Sequence, residues 1–273
     1  MPLTLPFASG IAAQEYLSAE EGAARAHEHG CTHWYIDFSL EADQPCTWSP
    51  ERVQGLRALT SRLGVSPILH GNFRAPLATE IPEVREGTLR YLSTELHLAE
   101  RLGCPLVIHG GCVVDPRPTR SARRAALARF LSAVELILEE ADRRGVEIWV
   151  ENLSHYPRHR PFSYVFTGHD DFAEAKRRIP ELTFVFDIGH ANVNQGFPVA
   201  ILDDFAGDIR ALSVSNNDGQ ADSHLGLHAG TIPLGQVVGL LKRRSWQGTV
   251  VFETRGTPVV SGVDLLRSLW ERN

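Results

Sequence analysis

No apolar run in the 273-residue chain reaches the roughly 18 residues that a membrane-spanning helix needs. Nor is there a basic stripe: 27 Lys and Arg are interspersed with 33 Asp and Glu, for a net charge of −6. The mixed run around Arg120, Arg123 and Arg124 opens a helical pattern and reads as a solvated face, so a nucleic-acid partner is not expected. The opening M-P-L-T-L-P-F-A-S-G lacks a positively charged leader region and is expected to form a first strand rather than an export signal. Cys31, Cys46, Cys104 and Cys112 show no C-x-x-C spacing, which in a chain of this size implies reduced thiols in a cytoplasmic protein. Cys112 follows the glycine pair 110–111 and is expected to pack. There is also no glycine-rich phosphate loop after the first strand, where F-A-S-G-I-A-A stands instead.

The chain does contain an ordinary globular composition, 43% hydrophobic and 22% charged, arranged in a regular alternation. Strand-length apolar runs fall at 3–9, 32–38, 66–71, 105–110, 147–152, 182–188, 209–215 and 248–254. They are rich in Val, Ile and Phe and mostly unalternating, as parallel strands buried on both faces are. Amphipathic segments separate them; in 125–144, Leu127, Leu131, Val134, Leu138 and Ala141 share one face. R-L-G at 62–64 and 101–103 and R-R-G at 143–145 are helix stops, and Pro50, Pro82, Pro198 and Pro233 mark starts. Strict eight-fold alternation without a linker predicts one α/β domain over residues 1–273, a single (β/α)8 barrel.

Active sites of such barrels lie at the C-terminal ends of the strands. The third strand ends in His70, the fourth in His109, the fifth in Glu151 and the sixth in Asp187, with His190 three residues on. The seventh leads to Asp222 and His224, the eighth ends in Glu253, and Asp37 near the end of the second belongs to an outer ring. Singly, an imidazole at a strand end is an ordinary hydrogen-bonded group and an acid there an N-cap. Jointly, these residues end strands that otherwise carry almost no charge. Burying several of them at one mouth is costly unless cations compensate, so a cluster of Zn²⁺, Mn²⁺ or similar ions is expected.

The motifs H-G-N-F (70–73), V-I-H-G-G (107–111), V-E-N (150–152), F-D-I-G-H (186–190), N-D-G-Q-A-D-S-H-L (217–225) and F-E-T (252–254) resemble the xylose-isomerase-like TIM barrels. That superfamily holds sugar isomerases and epimerases and the endonuclease IV nucleases (AP endonuclease family 2). The resemblance implies three metal sets: His70, His109 and Glu151; His190, Asp222 and His224; and Glu151, Asp187 and Glu253 in the centre. In the epimerase branch only the central set is kept, as a single Mn²⁺, and its two glutamates, here Glu151 and Glu253, also move protons between substrate carbons. The fourth central ligand of the family is a histidine on the seventh strand, and this chain has Ser213 there, in S-V-S-N-N. The family's G-E-G becomes H-A-G (228–230), which would bring His228 to the site.

The first expectation is therefore a divalent-metal-dependent isomerase or epimerase of a sugar, sugar phosphate or related polyol. Glu151 and Glu253 would serve as base and acid, with His190, His228 and Arg255 toward the substrate and Arg255 on a phosphate or carboxylate. The alternatives are a multi-zinc phosphoester hydrolase and a degenerate barrel that binds without turnover. The expected partner is a small molecule, with a homo-oligomer also allowed.

Overall fold

The protein is described by a computed structural model covering residues 6–12, 17–114, 120–155, 162–194 and 198–273. The apolar runs form eight parallel strands that close into a barrel: β1 (Ala8–Ile11), β2 (His33–Asp37), β3 (Ser66–His70), β4 (Leu106–His109), β6 (Ile148–Glu151), β8 (Thr183–Asp187), β9 (Ile209–Val214) and β10 (Thr249–Phe252). Neighbours around the ring follow chain order, and β10 pairs back onto β1.

The first strand is shorter and later than the 3–9 run suggested. Pro6 has no N–H for a ladder; the first β1 bond runs from Ala8 N–H to Gly248 O (3.2 Å). Phe7 instead packs on Trp246 and Trp270, with ring centroids 5.9 and 5.8 Å away. Residues 3–5 of that run lie outside the described residues.

Around the barrel lie α1 (Ala19–Glu28), α2 (Pro50–Leu63), α3 (Pro82–Leu102), α4 (Arg120–Arg144), α5 (His169–Arg178), α7 (Pro198–Phe205), α8 (Leu234–Arg243) and α9 (Val259–Arg272). Pro50, Pro82 and Pro198 sit at first helical positions, whereas Pro233 is the residue just before α8. Gly64, Gly103 and Gly145 take left-handed φ values of 69°, 69° and 65° after α2, α3 and α4, as the R-x-G stops implied. The helices pack on the outer strand faces through aromatic clusters. Phe172 of α5 meets Phe184 of β8 and Phe166 at centroid distances of 4.8 and 4.6 Å, each ring fully buried.

Two elements go beyond strict alternation. A short helix, α6 (Ile188–Val193), follows β8 directly, and β5 (Cys112–Val114) pairs antiparallel with β7 (Phe162–Tyr164) as a two-stranded ribbon. Among the described residues, both belong to loops that follow the C-terminal ends of barrel strands.

The barrel interior is one apolar layer: Tyr35, Ile68, Val107, Trp149, Val185, Ala211 and Val251, one from each strand after β1. Side chains two residues apart point to the same face of a strand. The next inward position above each is therefore Asp37, His70, His109, Glu151, Asp187, Ser213 and Glu253. The pairings Asp37–His70, His109–Glu151 and Asp187–Ser213 hold these positions level across neighbouring strands. A packed floor and a period of two bring the ionisable groups together.

Candidate metal centre

On one side of the mouth, two imidazoles converge on one carboxylate oxygen. His70 Nε2 is 3.1 Å and His109 Nε2 2.8 Å from Glu151 Oε2. Behind His70, Asp37 Oδ1 stands 3.7 Å from Nδ1, and the Tyr35 ring stacks on the imidazole at 5.0 Å. A carboxylate behind a histidine is the usual outer support of a metal-ligating imidazole.

The other side also sets two imidazoles about one carboxylate oxygen, but its three donors do not all lie within 4.8 Å of one another as those of His70, His109 and Glu151 do. His190 Nε2 is 3.1 Å and His224 Nε2 3.0 Å from Asp222 Oδ2. Each Nδ1 lies against a backbone carbonyl: His190 on Asn152 O at 2.8 Å and His224 on Glu253 O at 2.9 Å. A carbonyl only accepts, so Nδ1 carries the hydrogen in both rings and Nε2 faces the cluster. His224 reaches this position with a left-handed φ of 49°, uncommon for a non-glycine residue, and Arg255 N–H bonds its carbonyl at 2.8 Å.

Between the two sides, ligand oxygens of Glu151, Asp187 and Glu253 lie within 4.8 Å of one another, as do the donor atoms of His70, His109 and Glu151. Asp187 is fully buried: its Oδ1 accepts from His190 N–H (2.6 Å), its own N–H donates to Asn152 Oδ1 (2.9 Å), and its Oδ2 has no hydrogen-bond partner among the described residues. Glu253 Oε1 is likewise buried and unpartnered. Ser213 Oγ donates to Glu151 Oε1 at 2.9 Å, and Tyr35 OH lies 3.2 Å from Ser213 Oγ.

The electrostatics follow from burying these groups together. Burial alone would raise Glu151, but the hydrogen bonds from His109 and His70 outweigh it and hold the carboxyl far below the ordinary range. Asp222 is likewise depressed, because His190 and His224 overcome its burial. Asp187 has no such bond to its free oxygen; burial pushes it up to about 8, and burial with the neighbouring Glu151 charge raises Glu253. His70 and His190 are driven well above the imidazole value by surrounding carboxylates despite burial, whereas burial lowers His109. Bare carboxylate oxygens among buried acids, flanked by imidazole pairs, form a donor set that fits divalent cations.

These candidate ligands, all but the fully buried Asp187, line a cavity of about 660 Å³, walled also by Tyr35, Phe73, Leu153 and Tyr164. That volume suits a small molecule. Arg255 is exposed at its rim together with Arg74, and neither has an acidic partner within ion-pair distance among the described residues. His228 is exposed on the loop after β9 and does not line the cavity. Asp218 is also exposed and closes a local turn with Gln220 N–H. Cys112 is half-buried on β5 and does not line the cavity.

Three residues with a part in the site went unremarked in the sequence. Asn152, inside V-E-N, fixes Asp187 and His190. Tyr35 was hidden in an apolar strand, although its place two residues before Asp37 puts it on the inward face. Glu95, on α3 among Leu92, Leu96 and Ala99, is fully buried, pushed up to about 7 by that burial, and accepts from Asn72 N–H at 3.2 Å beneath the H-G-N-F loop. An acid on the apolar face of a helix was the available signal.

An eight-stranded parallel barrel with ionisable groups gathered at its C-terminal mouth defines the class, a (β/α)8 barrel. The sequence matches the family described as xylose isomerase-like TIM barrel over residues 23–269, and the chain belongs to that family. No curated protein sequence matches it. Among solved structures it is similar to a D-tagatose 3-epimerase-like protein (23% identity, 97% of this chain and 98% of that one, TM-score 0.83). It is also similar to D-psicose 3-epimerase with D-tagatose from Clostridium cellulolyticum H10 (14%, 97% and 96%, TM-score 0.74). A third is a Thermus thermophilus protein soaked with ZnCl2 (24%, 98% and 99%, TM-score 0.73). At these identities the likeness establishes the shared fold.

Proposed function

We propose that the protein is a divalent-metal-dependent isomerase or epimerase of a sugar or closely related polyol. The observation that carries this reading is the placement of Glu151 and Glu253, from strands three apart around the ring, with Asp187 at one cation position opening into a small-molecule cavity. Sugar epimerases among the structural neighbours support it.

Glu151, Asp187 and Glu253 would hold a divalent cation, whose Lewis acidity would acidify the C–H beside a bound substrate carbonyl. Glu151, held ionised by His70 and His109, is the standing base; Glu253, whose carboxyl is raised and whose Oε1 has no partner, holds and returns a proton. His190 Nε2 faces the cavity beside Asp222, where it can bond a substrate oxygen or share in a second metal. Arg255 at the rim would meet a phosphate or carboxylate substituent.

The test is solvent-deuterium incorporation into a panel of ketoses and ketose phosphates by metal-loaded protein. Exchange at the carbon beside the carbonyl is expected, and its absence across the panel would overturn the reading. One observation favours a second reading. The complete His190–Asp222–His224 set, together with His70–His109–Glu151, gives two imidazole-rich positions that a single-metal epimerase does not need. Hydrolysis of a small phosphoester would use them, and release of inorganic phosphate is its measurement.

A further inference from the structure

We propose that the N-terminal face of the barrel, at the opposite end from the ionisable mouth, carries a second binding site that takes a small oxyanion, a carboxylate or a phosphate. The proposal goes beyond the catalytic reading and does not depend on it.

The period of two that gathers the acids above the apolar layer also runs the other way. One inward position below Tyr35, Ile68, Val107, Trp149 and Val251 stand His33, Ser66, Pro105, Glu147 and Thr249. All five line a cavity of about 880 Å³. Ile68 and Trp149 line it from inside the barrel, and the last turns of α2 and α3 form part of its wall. The barrel is thus plugged at its middle and lined mostly by polar groups at this end.

One buried group in the lining lacks a partner. Trp149 is 7% exposed, and its Nε1–H has no acceptor among the described residues. Trp48 and Trp246, by contrast, donate theirs to Asp43 O and Ile209 O, each at 2.9 Å. An indole nitrogen only donates, so a ligand that satisfies Trp149 must bring an acceptor.

Charge selects the kind of acceptor. Arg210 Nε lies 3.3 Å from Glu147 Oε1, so these two offset each other. Arg57, on α2, has no acidic partner within ion-pair distance among the described residues; it donates to Arg101 O at 2.8 Å and keeps the rest of its fork. Burial lowers His33 and keeps it neutral. The negative ends of α2 and α3 also reach this face. Their carbonyls are already covered, Thr60 O by Gly64 N–H at 2.9 Å, Ala99 O by Gly103 N–H at 2.8 Å and Arg101 O by Arg57. One uncompensated guanidinium beside a buried indole donor fits a carboxylate or phosphate and disfavours a cation.

The test follows the tryptophan indole N–H signals of nitrogen-15-labelled protein by nuclear magnetic resonance, in parallel titrations with inorganic phosphate and acetate at constant ionic strength. The Trp149 signal should move and saturate with at least one of them, with a Kd of about 1 mM or tighter, and the tighter of the two identifies the oxyanion. The bonded indoles of Trp48 and Trp246 should hold their positions. Arg57→Ala should weaken the Kd by about tenfold or more, and Arg57→Lys, which keeps the charge without the fork, should fall between.

A Trp149 signal that moves with neither anion, or that moves equally with sodium chloride, would overturn the proposal. So would an unchanged Kd in a folded Arg57→Ala protein, since binding would then lie elsewhere; if that variant does not fold, the wild-type titration decides alone.

Discussion

His224 donates its Nδ1–H to the backbone carbonyl of Glu253 at 2.9 Å, so the residue that presents a carboxylate to the centre also aims a flanking imidazole through its main chain. The two functions are separable by substitution. The backbone carbonyl survives any side-chain change, whereas the carboxylate does not.

Glu253→Gln therefore keeps the orientation of His224 and the barrel while removing the group that returns the proton. Loss of general acid–base catalysis at one group is worth about 10²–10⁴ in kcat, and a change of that size in ketose exchange is expected with an unchanged far-ultraviolet circular dichroism spectrum. Full activity in the variant would refute the proton-transfer role.

Asn152→Ala tests the support behind the ligands. The Asn152 side chain bonds both Asp187 N–H and Asp187 C=O inside a fully buried setting. Asp187 C=O also caps the start of α6, so truncation deprives the buried Asp187 N–H of this acceptor, which predicts a loss of about 1–3 kcal/mol in urea unfolding. A variant within about 0.5 kcal/mol of wild type, the range of an ordinary surface change, would mean that the amide does not carry this load.

The sequence made the barrel and most of this mouth legible for one physical reason. His70, His109, Glu151, Asp187 and Glu253 are charges at the ends of strands that otherwise have none, and burial of such groups demands compensation. What stayed hidden had no such contrast. Tyr35 looks like core because its ring is core; only its hydroxyl reaches Ser213. The β5–β7 ribbon consists of three-residue strands, too short to show a period. His228 follows the motif spacing but sits on an exposed turn, whose direction is set by Gly230 at φ 115° pressed against Asn216 and not by local pattern.

The titrations give a pH dependence with a definite sign. His70 and His190 bind protons more tightly in the folded, metal-free protein than in the unfolded chain. Their stabilisation is complete below about 6.5, the ordinary imidazole value, and is lost as pH rises through their raised folded values. Asp187, pushed up to about 8, acts in the same direction, since its unfolded counterpart has already lost the proton. Chelated protein should therefore lose stability from pH 6.5 upward, by about 1.4 kcal/mol per pH unit for each extra proton held in the fold. Metal-loaded protein should show the opposite trend, because uptake displaces those protons. Calorimetric Tm values across that window check both arms, and a flat or rising Tm in chelator would contradict the first.

Gly189, the glycine of F-D-I-G-H, offers a test of how the flanking histidine is placed. A Cβ at 189 would stand 2.6 Å from Ser215 Oγ, closer than real contacts allow, and 3.1 Å from Asp187 Oδ1, tighter than most. Gly189→Ala should force α6 away from the segment that follows β9 and carry His190 with it, so about 1–3 kcal/mol of stability should be lost, with about 10–100-fold in metal affinity at the His190–Asp222–His224 set. Ser215 Oγ is buried without a partner among the described residues, so Ser215→Ala removes the obstructing oxygen without breaking a bond. The pair forms a double-mutant cycle. If the clash is the cause, Gly189→Ala combined with Ser215→Ala recovers stability and metal affinity together, measured by urea unfolding and zinc titration. Strict additivity of the two changes would mean that Gly189 is required for something other than the close approach of α6 to the segment that follows β9.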